Sequence, residues 1–285
     1  MEIVQFIPPS QRKLTLLAAQ TDSAPVLIFG GSGTGKGAIA RWIHNNGPRS
    51  GNPLIELNRD RPLADEFKRA QGGTLMIPEV GLLSLKEQAI LLRVLTHRSL
   101  VDSSGVAQLV NIRVIALTSQ ALEGRAQTHL FNPDLLEKLN VFRLEMPPLS
   151  KRAAEFEDIS SGILAEIVRE LRKDHVRGLA PAALAALQTY DWPGNLRELR
   201  NVLRIAAIAA PGDRVERSDL PEFGHEKMNF RATREEFEKT YILELLKTFQ
   251  YDIDRTCQMS HMDKPTLMEK IKKYGIALDR ERTVP

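Results

Sequence analysis

The sequence predicts an α/β fold built on a parallel sheet, followed by an all-helical half, and three observations carry that reading. Residues 1–148 alternate strand-like and helix-like segments, the pattern of a parallel sheet covered by helices. The apolar run Val26-Leu27-Ile28-Phe29 passes directly into Gly30-Gly31-Ser32-Gly33-Thr34-Gly35-Lys36 and then into a helical pattern. That is the strand–loop–helix context of a phosphate-binding P-loop. Finally, Met146-Pro147-Pro148 breaks the alternation, and beyond it strand signals vanish.

Taken in order, short apolar runs place strands at 26–29, 54–57, 74–77, 112–118 and 141–145, with helices between them, notably at 35–45 and 85–98. Past the proline pair, helical periodicity occupies 159–172, 182–189 and 197–209. Residues 211–230 mix proline, glycine and charge and read as a linker. Residues 231–276 are helical again and end at Gly275.

Composition narrows the classes. With 42% hydrophobic and 26% charged residues the chain is folded rather than disordered, and 285 residues suffice for two or three units. A net charge of +3 means that any nucleic-acid surface must be local. The single cysteine, Cys257, excludes an internal disulfide framework, and no Cys/His cluster has zinc spacing, so no metal site is expected from the protein alone. No apolar run approaches the ~18 residues of a membrane helix, and no signal pattern opens the chain. A cytoplasmic protein without a membrane partner is the expectation.

The P-loop carries a mechanism. Small residues let the backbone curl so that successive N–H groups and a helix N-terminus face phosphate oxygens, and Lys36 adds a mobile positive charge. Gly37 stands where the general pattern has the Ser or Thr that holds magnesium.

Several strings, in order, are similar to one family: "VLIFGGSGTGKGAIARWIH", "GGTLMIPEV", "NIRVIALTS", "LNVFRLEMPPLSKR" and "WPGNLRELRNVL". Together they resemble the AAA+ domain of NtrC-type bacterial enhancer-binding proteins, the sigma-54-dependent transcription activators. The closing "TLMEKIKKYGI" resembles the Fis-type helix-turn-helix of the same family. The resemblance runs from about residue 7 to 276 and implies an AAA+ P-loop parallel sheet with a helical lid and a C-terminal all-α helix-turn-helix. The implied boundaries are 1–148 for the nucleotide-binding part, 149–210 for the lid, 211–232 for a linker and 233–285 for DNA binding. No receiver domain is expected ahead of it.

The resemblance also assigns residues. ATP or ADP would be held by Gly30, Gly31, Ser32, Gly33, Thr34, Gly35, Lys36 and Gly37; the family usually has glutamate at the position of Gly37, so the absent hydroxyl is normal for it although glycine departs from it. Asn58 would pair with and switch the catalytic glutamate, Ser119 would be the polar sensor, and Arg197 the lid arginine that reads the terminal phosphate. The family's Asp-Glu pair is here Pro78-Glu79. Glu79 is therefore either the surviving base or a solvated strand-end carboxylate, and magnesium would be weakly held. Asn132 and Lys138 stand where the family has its two inter-subunit arginine fingers. Lysine keeps the charge without the planar fork. A finger is worth about 10³–10⁵ in rate, so weak turnover is implied.

Asn58 is followed only by residues 59–71 before Gly72-Gly73-Thr74-Leu75, room for one short helix near 63–69. The family's long insertion with its GAFTGA string is absent, so contact with sigma-54 by that route is not expected. At the C-terminus, 237–249 reads as an amphipathic helix with Phe237, Tyr241, Leu245 and Phe249 on one line, followed by 252–259 and 264–274. Lys264, Thr266, Glu269, Lys270 and Lys273 would face double-stranded DNA, with Asp263 as N-cap; the other reading is a dimerisation appendage.

The function expected is a DNA-binding regulator that binds ATP or ADP, hydrolyses it poorly and self-associates. The alternatives are a working ATPase with atypical ligands, or a partner that modulates an intact homologous activator.

Overall fold

The computed structural model describes residues 6–101, 106–223, 251–260 and 263–276, with 242, 246 and 249 besides. It divides at 221/222 into two units.

In the first unit, five short strands make one parallel sheet: β1 (Val26–Gly30), β2 (Leu54–Glu56), β3 (Thr74–Ile77), β6 (Arg113–Thr118) and β7 (Phe142–Met146), in the order β2-β3-β6-β1-β7. The central strands are mostly apolar, and β3 and β6 are buried throughout, with Thr74, Arg113 and Thr118 at their ends, because both faces are covered, as crossover helices require. Alternation then sorts their side chains. Val26 and Ile28 of β1 and Ile115 of β6 enter one core with Ile39, Ile43 and Leu144. Leu27, Val114 and Ala116 enter the opposite core with Phe67, Leu91 and Phe131.

The helices of this unit are α1 (Pro9–Gln20), α2 (Lys36–Asn45), α3 (Leu63–Arg69), α4 (Leu85–His97), α5 (Leu122–Gln127) and α6 (Pro133–Leu139). Helix α4 starts sharply because Ser84 and Glu87 form a capping box, the Ser84 N–H donating to Glu87 Oε2 at 2.7 Å and the Glu87 N–H to Ser84 Oγ at 3.3 Å. Between β2 and β3 there is only α3, as the short span of sequence requires. Two elements escape the sequence reading: α1, which packs against α2 and β7, and a hairpin of β4 (Ser99–Val101) with β5 (Ala107–Leu109).

The lid follows as α7 (Phe156–Leu171), α8 (Pro181–Gln188) and α9 (Asn195–Ala209). Trp192 is its buried anchor, with its ring 6.2 Å from Phe156 and its indole N–H donating to Leu187 O at 2.9 Å. Strand signals do not vanish here. β8 (Gly178–Leu179) pairs in parallel with β9 (Arg214–Val215), each two residues long and so too short to show a period. That pairing also corrects the linker. Residues 211–221 belong to the lid, since Val215 and Leu220 are buried and Arg177 N donates to Asp213 O.

In the second unit the described helices are α10 (Ile253–Ser260) and α11 (Lys264–Lys273). Ile242, Leu246, Leu267, Ile271 and Ile276 share a small core. The buried line therefore runs through Ile242 and Leu246, one residue on from the expected Tyr241 and Leu245, which lie outside the described residues together with Phe237. Among the described residues no helix is long and apolar enough to cross a membrane.

Candidate functional site

The glycine-rich loop sits at the carboxyl end of β1, where an open parallel sheet leaves a crevice. Gly30 must lack a side chain, because a Cβ there would fall 2.3 Å from Met146 O on the neighbouring strand. The loop then curls and delivers Lys36 to the first turn of α2. The Lys36 ammonium folds back on the loop, donating to Gly30 O at 2.6 Å and Gly31 O at 2.8 Å. Burial pushes its pKa down, with Glu79 opposing that shift and Arg197 adding to it.

The lid closes on the same loop. Gly33, at φ +77°, passes so near the start of α9 that a Cβ would meet Gly194 O at 2.2 Å. The buried Asn195 stitches the two together, its amide N–H donating to Ser32 O at 2.8 Å while its Oδ1 accepts from Leu149 N at 2.8 Å. Arg197, two residues on and exposed, reaches Ser32 Oγ at 3.5 Å. Arg200 is held inside the lid by Glu166 at 2.6 Å and Glu170 at 2.7 Å. Asn195 is the residue the sequence reading passed over, although it lies inside the quoted string "WPGNLRELRNVL". The signal was an asparagine ahead of an apolar helix, a turn-forming type that tolerates its left-handed φ of +53°.

Loop, lid and sheet edge enclose an open cavity of about 690 Å³. Ser32, Gly33, Thr34, Gly35, Lys36 and Gly37 line its polar side, joined by Pro78, Glu79, Ser119 and Arg197. Phe6, Ile39, Met146, Ile163 and Leu196 supply apolar lining. Backbone donors, one lysine and an apolar slot fit a nucleotide with its phosphates at the loop.

Glu79 is not free. Its Oε1 accepts from Thr118 Oγ1 at 2.5 Å, and its Oε2 accepts from Ser119 N at 2.8 Å and Ser119 Oγ at 2.7 Å. Ser119, the expected polar sensor, lines the cavity and is bonded to Glu79. One expectation is corrected. Asn58 does not pair with Glu79 and does not line the cavity, because it is exposed and its Oδ1 accepts from Asp60 N at 2.9 Å in its own turn. Thr118 is the partner that sequence reasoning missed; only its position at the tip of the central strand hints at the role.

For a metal the protein's own donors at the loop and the tip of β3 are few. Pro78 offers no side-chain oxygen, Gly37 no hydroxyl, and both oxygens of Glu79 already accept hydrogen bonds. Room is not the obstacle at 37, where a Cβ would meet only the mobile end of Arg41. Among the described residues no three His, Cys, Asp or Glu side chains gather to hold an ion.

The two finger positions lie away from this cavity. Asn132 caps α6, its Oδ1 accepting from Asp134 N at 2.8 Å and Leu135 N at 3.1 Å. Lys138, exposed, lines a groove between α4 and α6 with Arg93 and His97.

In the second unit, Asp263 caps α11 by accepting from Thr266 N at 2.9 Å, and hydrogen bonding from the Thr266 side chain, with its backbone N–H, holds the carboxyl below the usual range. Leu267 and Ile271 face inward, so Glu269, Lys272 and Lys273 lie on the outer side, with Thr266 and Lys270 half-buried at its edges. Lys272, exposed on the same side, was not among the residues expected there. Lys264 is not simply offered outward. It pairs with Asp254 of α10 at 2.9 Å, a surface bridge that a phosphate can displace.

A parallel sheet with a P-loop at the tip of β1 and a helical lid bonded to that loop defines the AAA+ class of nucleotide-site folds. Comparison with known families agrees: residues 9–149 match the sigma-54 interaction domain, 150–236 the AAA+ ATPase lid domain, and 233–274 the bacterial regulatory protein, Fis family. The chain belongs to the family of regulators built on the sigma-54 interaction domain. It is similar to regulatory protein AtoC of Escherichia coli K12, 33% identical over 291 residues, covering 89% of this chain and 63% of that protein. To the DNA-binding transcriptional regulator NtrC of E. coli K12 it is 36% identical over 223 residues, covering 70% of this chain and 47% of NtrC. The crystal structure of NtrX from Brucella abortus in complex with ADP superposes with a TM-score of 0.64 at 28% identity, over 94% of this chain and 67% of that one. The chain spans less than two thirds of the curated relatives it matches.

Proposed function

We propose that this chain is a DNA-binding transcription regulator that uses ATP or ADP as a ligand and hydrolyses it poorly. One observation carries the reading. The loop that grips phosphate is bonded to the lid through Asn195, whereas the carboxylate that would activate water is engaged by Thr118 and Ser119. Phosphoryl transfer depends on positioned charge and metal, and Pro78, Asn132 and Lys138 withdraw those contributions together. Nucleotide then acts by favouring one lid position over another, which requires only differential affinity. DNA is read by the outer face of α11, with Glu269 toward base edges and Lys270, Lys272 and Lys273 on phosphates, in a self-associated form that presents two such helices. The match to NtrX, crystallised with ADP, supports the nucleotide part, and the Fis-family match supports the DNA part.

The test combines calorimetry with phosphate release. ATP with magnesium should bind with a measurable Kd, while steady-state phosphate release stays at the level of Lys36→Ala. Turnover well above that level and abolished by Glu79→Gln would establish a working ATPase instead.

A further inference from the structure

Part of the apolar lining of the nucleotide cavity comes from Phe6, with Met146 and Ile163 nearby. Phe6 and Ile7 precede α1, and two arginines hold their main chain. Arg152 Nη1 donates to Phe6 O at 3.0 Å, and Arg12 Nε donates to Ile7 O at 3.2 Å. Arg152 is only 3% exposed, and its guanidinium is completed by Glu155 at 2.5 Å. It stands between β7 and α7, where the sheet passes into the lid.

A buried guanidinium is costly unless its charge and its donors are all matched. Here a charge has been buried to reach one backbone carbonyl 146 residues away in sequence. The Phe6 carbonyl needs no charged donor for its own sake, since a neutral hydrogen bond satisfies a peptide oxygen. What the arrangement adds is a fixed position for Phe6 against the cavity, tied to the root of the lid.

We infer that Arg152 is a positioning residue for the base of the bound nucleotide, holding Phe6 as the apolar wall on which the base lies. The inference rests on the nucleotide reading above. It separates the two parts of the ligand: phosphates are held by the loop and Lys36, and the base by a wall that Arg152 sets in place. Because the same arginine sits at the lid root, base contact and lid position are read through one side chain.

The experiment compares ATP with inorganic tripolyphosphate, both titrated calorimetrically into the full chain. Arg152→Lys keeps the charge but loses the fork. It should weaken ATP about tenfold while leaving tripolyphosphate within about twofold. Phe6→Ala, which leaves the Arg152–Glu155 pair untouched, should show the same split and carries the test alone if the lysine variant does not fold. Equal loss of both ligands, or full ATP affinity in both variants, overturns the inference and leaves nucleotide binding standing. A wild-type chain that binds neither ligand overturns the nucleotide reading and this inference with it.

Discussion

The tips of β1 and β3 lie on either side of β6 in one sheet, yet their polar groups are used in opposite ways. At the tip of β1 the loop's carbonyls at Gly30 and Gly31 are engaged by the ammonium of Lys36, which a phosphate can draw off them. At the tip of β3, Glu79 turns sideways and accepts three hydrogen bonds from the tip of β6. A carboxylate satisfied in this way is stable where it is and poorly placed to orient water. Two tips of one intact sheet thus hold their polar groups in different states of engagement.

The comparison can be broken or sharpened in steps. Lys36→Ala should give the largest effect, weakening ATP by about a hundredfold or more, because the ammonium charge at the phosphates is lost. Calorimetry reads it directly, and unchanged affinity would mean that the loop does not grip phosphate. Asn195→Ala comes next. It leaves Ser32 O and Leu149 N without partners, and should cost about 2 kcal/mol in denaturant unfolding while also weakening ATP. Ser84→Ala removes a cap far from the cavity and should cost about 1 kcal/mol with no change in ATP binding.

Smallest is a pH effect. His44 is buried against Thr74 Oγ1 at 2.9 Å, and burial pushes its pKa below 6.5. A base that is harder to protonate in the folded state leaves stability unaffected above pH 6.5. As pH falls below that value the unfolded chain takes up the proton first, so stability declines until the folded pKa is passed. His44→Gln should flatten the melting temperature across that window, and an unchanged slope would assign the pH dependence elsewhere.

How much of this was legible depends on the range of the signal. The five strands appear as apolar runs because both faces of the sheet are buried, and the short span after Asn58 gave α3 at 63–69 as observed. The role of Asn132 could be read locally, since asparagine before Pro133 and Asp134 is a helix start. Asn58, two residues before Asp60, was likewise readable as a turn of its own. What stayed hidden was long-range. Glu79 meets Thr118 and Ser119 across some forty residues, and Arg152 meets Phe6 across 146, and no local pattern announces either. Helix α1 was missed because a mixed stretch with weak amphipathicity gives little periodic contrast.

The backbone approach of Gly33 to Gly194 has a practical consequence. A single methyl group on residue 33 would work as a shim, wedging loop and lid apart without altering any charge in the cavity. Gly33→Ala, which at φ +77° also strains the loop, is therefore expected to disturb the contact between loop and lid while Lys36 and Arg197 are both retained, and it shows how far nucleotide binding depends on that contact.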